Sequence, residues 1–252
     1  MNRDGSLELK TVWNLRDIGG YATSSGKVTR SRLVFRSGDL SRLDSKDASA
    51  ILPLGLRTVV DLRDPVAWEK RPDRLDGLSV NLLRVDLTTR VHIELRDRWE
   101  THHLSESESL EYIRSITASI ALERSDAIKD LFRYFLQPDV FPLLMHCSAG
   151  KDRTGIVTAM LLFALDVPEE TVYSDYMLSN DYLTPFHETH VNRPGWEHTG
   201  PLWEARREYL GEALSAVRDS YGSIDTYLER AIGLTDEMRT KLKALLLRSS
   251  EQ

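Results

Sequence analysis

The sequence predicts a single α/β domain: a mostly parallel central sheet flanked by helices, with a helical insertion at about residues 168–221. Three observations carry that expectation. A chain of 252 residues lies near the upper limit of what one hydrophobic core supports. Short apolar runs bounded by turn residues alternate with longer amphipathic stretches as far as residue 165, the pattern of strands interleaved with helices. Beyond that point the strand signals stop and helical spacing takes over.

In order along the chain, the expected strands are Leu33 to Arg36, Thr58 to Arg63, Ser79 to Val85 and Pro142 to His146. The second and fourth are largely apolar, as parallel strands covered on both faces must be. Ser45 to Leu52 and Ala127 to Leu136 carry apolar residues at helical spacing, with Asp44 or Ser45 available to cap the first. Between them, Thr88 to Ser109 is polar, contains His102 and His103, and reads as a solvated loop with a helical piece. The longest nearly apolar run, Ile156 to Leu165, is about half of what a membrane-crossing helix requires. Helices follow at Glu169 to Leu178, Trp203 to Asp219, Ile224 to Ala231 and Asp236 to Leu247, the last capped by Thr235. The proline- and glycine-bearing stretch Asn192 to Pro201 reads as an exposed loop.

Composition narrows the function. Hydrophobic residues at 41% and charged residues at 29% describe a chain that buries a core, which excludes disorder as its main state. With 39 acidic against 33 basic side chains, a net charge of -6 and no basic run, generic nucleic-acid binding is not expected. The first ten residues lack the apolar core of a secretory signal, and one cysteine allows no internal disulfide, so a reducing, cytoplasmic setting is expected.

That cysteine stands in His146-Cys147-Ser148-Ala149-Gly150-Lys151-Asp152-Arg153-Thr154-Gly155, between an apolar strand and an apolar helix. A strand, loop and helix N-terminus in that order make an anion site, because backbone N–H groups without helical partners converge there and the helix dipole adds to them. Gly150 permits the tight curvature. In such a loop the Cys147 thiolate is stabilised by amides and nearby cations, which lowers its pKa from a free value of about 8.5. Five residues on, the planar guanidinium of Arg153 can grip two oxygens of one phosphoryl group. Ser148, Ala149, Gly150, Lys151 and Thr154 complete the expected phosphate-binding set. A cysteine alone is as often a buried apolar side chain, and it is the surrounding motif that favours catalysis.

The segment HCSAGKDRTG resembles the signature of cysteine-dependent protein tyrosine and dual-specificity phosphatases. It is most similar to the bacterial branch related to mycobacterial protein tyrosine phosphatase B, whose members overlap with phosphoinositide phosphatases in activity. The likeness extends through Asn14-Leu15-Arg16-Asp17, Phe35-Arg36-Ser37, Val60-Asp61-Leu62-Arg63, Asp175-Tyr176 and Ser179-Asn180-Asp181. It implies a tyrosine-phosphatase-like fold, no metal or other cofactor, and a cysteinyl-phosphate intermediate formed by Cys147 and hydrolysed by water. The proton for the leaving group needs a carboxylic acid. The sequence has no Trp-Pro-Asp tripeptide, so Asp152 is the first candidate and Asp86 the reserve. The resemblance also gives Thr154 a part in stabilising the departing thiolate and has His146 orient the loop. It implies phosphorylated proteins or phosphoinositides as partners, with export lacking a signal peptide as an alternative location.

Competing readings remain open at this level. Asp152 could be a first-turn helix residue, and Lys151 either a solvated surface lysine or an extension of the positive field toward multiply phosphorylated headgroups. His187 and His190 lack zinc-helix spacing and read as solvated. Tyr173, Tyr176, Met177, Phe186, Trp196 and Trp203 pack helices or belong to a lid over the loop, the latter as the resembling branch implies. Arg36 and Asp61 to Arg63 suggest structural pairing, and Asn14 to Gly20 a packing motif. Rival activities are a non-catalytic phosphate-binding module and an arsenate reductase, which usually needs resolving cysteines.

Overall fold

The four expected strands form the parallel part of one sheet. A computed structural model describes residues 9–101, 104–183 and 199–250. Strands β1 (Arg16–Asp17), β3 (Val34–Ser37), β6 (Leu143–His146), β4 (Thr58–Asp61) and β5 (Asn81–Arg84) lie side by side in that order. β6 is central, pairing in parallel with β3 and β4, and β1 is antiparallel to β3. β2 (Lys27–Thr29) and β7 (Leu247–Ser249) form a separate antiparallel pair, so one short strand does follow residue 165, contrary to expectation. At three residues it is too short to show the two-residue alternation that marks a strand in sequence.

The strand period of two divides the core between the sheet's faces. Val34, Val60, Leu143 and Met145 point into the larger cluster, while Phe35, Val59 and Leu144 point into a smaller one with Leu40, Leu43, Ile51 and Leu54. The smaller face is covered by α1 (Ser45–Ile51), whose first turn is capped by the Asp44 carboxylate. The larger is covered by α4 (Glu106–Glu123), α5 (Ser125–Phe135), α6 (Asp152–Ala164) and α9 (Arg207–Tyr221). Ten of the thirteen residues of α6 are buried, which explains its unbroken apolar sequence as a core helix. Among the described residues no helix is long and apolar enough to cross a membrane.

The polar stretch from Thr88 is more ordered than expected. It holds α3 (Arg90–Thr101) and the start of α4, and a short α2 (Pro65–Lys70) precedes β5. The start of α4 had a legible signal: Ser105 and Glu108 form a reciprocal capping box, with the Glu108 N–H donating to Ser105 Oγ at 3.2 Å and the Ser105 N–H to Glu108 Oε2 at 2.9 Å. The helix expected at Trp203 to Asp219 divides into α8 (Gly200–Trp203) and α9. It follows α7 (Glu169–Met177) and a helical stretch at 179–183; α10 (Ile224–Arg230) and α11 (Asp236–Leu246) close the chain. His102, His103, Phe186, His187, His190 and Trp196 lie outside the described residues, as do residues 184–198 of the helical insertion considered as a lid.

Candidate active site

Residues 147–151 join β6 to α6 at the carboxyl end of the central strand, where parallel sheets gather their sites. The loop's carbonyls are tied from outside. Asn14 Nδ2 donates to the oxygens of Ala149 and Gly150 at 2.9 and 3.0 Å. Arg36 Nη2 donates to Gly150 O at 2.7 Å, and the Asp39 N–H to Ser148 O at 3.0 Å. In a trans peptide the N–H points opposite to the C=O, so the amides of Ala149, Gly150 and Lys151 face the other way, into the loop. The first helical bond, from the Gly155 N–H to Lys151 O at 2.7 Å, leaves the earlier amides uncommitted to α6.

Gly150 has φ +68°, and a Cβ there would sit 2.2 Å from the Ser37 carbonyl oxygen. Gly150→Ala is therefore expected to destabilise the fold by about 2 kcal/mol or more and to open the loop, read as a lower melting temperature together with lost aryl phosphate hydrolysis.

A buried ionic network stands behind the loop. Asp175, on α7, receives Arg36 Nη1 at 2.6 Å, Arg16 Nε at 3.2 Å and the Tyr21 hydroxyl at 2.9 Å. Burial raises the Asp175 carboxyl, but both guanidiniums and the Tyr21 hydroxyl outweigh it and hold the net value below the usual range. Arg16 also donates to Ser179 Oγ and Asn14 Oδ1, so the sequence blocks around Asn14, Arg36, Asp175 and Ser179 serve one structure. Structural pairing is the observed role of Arg36. Removing Asp175 would leave two buried cations unpaired, so Asp175→Ala is expected to cost about 3–5 kcal/mol in denaturant unfolding.

Cys147 is 3% exposed. Burial raises its thiol pKa, yet the charge of Arg153 and hydrogen bonds from the hydroxyl and N–H of Thr154 outweigh burial and the opposing Asp152, so the net value lies below that of an ordinary thiol. Among the described residues the buried Thr154 Oγ1 has no partner at hydrogen-bond distance, and its influence falls on the Cys147 thiol, whose pKa it helps to lower. Arg153 folds back over the loop, donating to Ser148 Oγ at 3.2 Å and to Thr88 Oγ1 at 3.3 Å.

The two candidate acids are placed differently. Asp152 begins α6, 20% exposed, with Oδ1 receiving Lys151 Nζ at 2.7 Å and the Tyr176 hydroxyl at 3.4 Å. Asp86 accepts the Thr88 N–H at 2.8 Å and so reaches Arg153 only through Thr88. Lys151 is not a surface lysine. It is fully buried, paired with Asp152 and 5.6 Å from the Tyr209 ring centre, because α9 covers it. Tyr173 and Tyr176 pack in the core, as the helix-packing reading expects.

Beneath the loop, His146 Nε2 lies 3.0 Å from Asp73 Oδ2 and Nδ1 lies 3.2 Å from the Cys147 carbonyl oxygen. Burial lowers its pKa, while the Asp73 hydrogen bond and the charges of Asp73 and Asp61 outweigh burial and Arg63, leaving it above the ordinary value. Both ring nitrogens meet acceptors, as the imidazolium form requires. Asp61, Asp73 and His146 converge closely enough to hold a metal, but the carboxylates already share a cation, since Arg63 Nη2 donates to both at 2.6 and 2.9 Å. Asp73 was not anticipated from the sequence: nothing in Arg71-Pro72-Asp73 indicates that it meets His146, 73 positions away.

A depressed thiol and an arginine on one amide-lined loop, at the end of a central parallel strand, define a phosphate monoester hydrolase of the cysteine-dependent class. The chain belongs to the tyrosine phosphatase family, whose model matches residues 7–248. It is 30% identical over 276 residues to the triple specificity protein phosphatase PtpB of Mycobacterium tuberculosis, covering 95% of this chain and 98% of that protein. It is also 30% identical to a putative tyrosine-protein phosphatase of Cupriavidus necator, covering 90% of this chain and 84% of that one. Among solved structures, the Siw14 catalytic core aligns over 94% of this chain and 98% of its own at 13% identity and a TM-score of 0.46.

Proposed function

We propose that this phosphatase acts first on phosphotyrosine in proteins, through a cysteinyl-phosphate intermediate, with residues 1–252 as one catalytic domain. Cys147 attacks phosphorus as the P–O ester bond breaks, Arg153 and the loop amides hold the phosphoryl oxygens, and Asp152 protonates the leaving oxygen. Water then displaces the thiolate and gives its proton to Asp152. The depressed Cys147 thiol beside Arg153 carries this reading, because lowering the pKa of a buried thiol favours its reactive thiolate and has no structural purpose in so crowded a core. Asp152 is preferred to Asp86 because it is part of the loop itself.

Phosphoinositides are the second reading, supported by the resemblance of the HCSAGKDRTG loop to a bacterial branch whose activity overlaps with that of phosphoinositide phosphatases. Turnover of phosphotyrosyl peptides against soluble inositol lipids separates the two, and an enzyme far faster on the lipids overturns the first choice. Asp152→Asn is expected to lower kcat on a phosphotyrosyl peptide by about 10²–10⁴-fold, and Asp86→Asn by much less. The reverse order would transfer the acid role to Asp86. A reduced setting such as the cytoplasm suits the chemistry of one reactive thiolate, which oxidation would silence.

A further inference from the structure

The Asp152 carboxyl is held by one oxygen only. Oδ1 receives both the Lys151 ammonium at 2.7 Å and the Tyr176 hydroxyl at 3.4 Å, while among the described residues no hydrogen bond reaches Oδ2. Both holders are rigid. Lys151 is fully buried beside the Tyr209 ring. Tyr176 is 1% exposed, and its ring lies so close to α6 that a Cβ on Gly155 would fall 2.9 Å from two ring carbons. Because Tyr176 follows Asp175, the same turn of α7 that pairs with Arg36 also delivers a hydroxyl to the carboxyl.

We propose that Lys151 and Tyr176 are positioning residues that anchor Asp152 through Oδ1 and leave Oδ2 free to exchange the proton with substrate. This rests on the reading of Asp152 as the acid. The terminal torsion of an aspartate is broad, so an unanchored carboxyl would spend much of its time misdirected. Two anchors on one oxygen fix the other. As Oδ2 gives its proton to the ester oxygen and the P–O bond breaks, the carboxyl acquires a negative charge beside a buried ammonium already in place. When water attacks the intermediate, its proton returns to Oδ2. The Tyr176 contact is long for a hydroxyl, and catalytic hydrogen bonds often tighten only in the complex with substrate.

Leaving-group dependence tests the proposal, because a residue that serves the acid matters only when the leaving group needs a proton. Tyr176→Phe, which keeps the ring against Gly155, and Lys151→Met would be compared with Asp152→Asn on phenyl phosphate and 2,4-dinitrophenyl phosphate. On phenyl phosphate the expected losses in kcat/KM are about 100-fold for Asp152→Asn and about tenfold for each of the others. On the dinitrophenyl ester all three should stay within about threefold of the parent. Equal losses on both esters, or none on phenyl phosphate, with Asp152→Asn still discriminating, would overturn the positioning role and leave the acid intact. If Asp152→Asn does not discriminate, the acid assignment fails and takes this inference with it. Should Lys151→Met not fold, Tyr176→Phe decides alone.

Discussion

Cys147→Ser is expected to lower turnover of an aryl phosphate by about 10⁴-fold or more and to erase the initial burst of phenol, because a hydroxyl is a far weaker nucleophile than a thiol whose pKa is lowered. The burst is the more telling readout, since it reports a covalent intermediate. A burst that survived the substitution would place the nucleophile elsewhere and restore the non-catalytic reading of this loop. The pH dependence follows from the same group. Its pKa is depressed by Arg153 and Thr154 against burial, so the reactive form persists below the range of a free thiol and is lost as pH falls through the folded-state value. The sign for stability is the same: the thiolate's contribution is present above the unfolded value and lost on acidification. Alkylation of Cys147 by iodoacetamide, followed against pH, should show a midpoint below about 8.5.

Arg153→Lys is expected to cost about 10³-fold in kcat/KM, although it keeps the charge. A guanidinium presents two parallel N–H groups to a phosphoryl group, and an ammonium is a point charge on a flexible stem. Arg153 also uses its two terminal nitrogens separately, one donating to Ser148 and the other to Thr88. Arg153→Ala should in addition move the alkylation midpoint of Cys147 upward, because Arg153 is the foremost contribution lowering it. A loss of activity with the midpoint unmoved would separate phosphate binding from thiol activation and refute their union in one residue.

The chemistry was readable in the sequence because it is local. Cys147 to Thr154 carry the proposed nucleophile, clamp, acid and hydroxyl within one turn and the start of one helix, so their spacing along the chain is nearly their spacing in space. The parallel strands were readable for a similar reason: strands buried on both faces, as in Thr58–Asp61 and Leu143–His146, need no partner to declare their apolar character. Between residues 90 and 123, α3 is the helical piece expected in the polar stretch, whereas α4 was missed because polar side chains dilute its period, although the Ser105 and Glu108 pair was visible.

What the sequence by itself determined, then, is the loop, its candidate nucleophile and the strands of the parallel sheet. Only the tertiary structure decided what holds the loop in shape. Arg36 meets Gly150 across 114 positions, Asn14 meets Ala149 across 135, and Asp175 joins Arg16 and Arg36 from a helix far along the chain. It also reversed the outward reading of Lys151, which α9 covers. An ion pair or a buried ammonium is set by which surfaces pack together, and that depends on the whole chain closing around one core rather than on any neighbour in sequence.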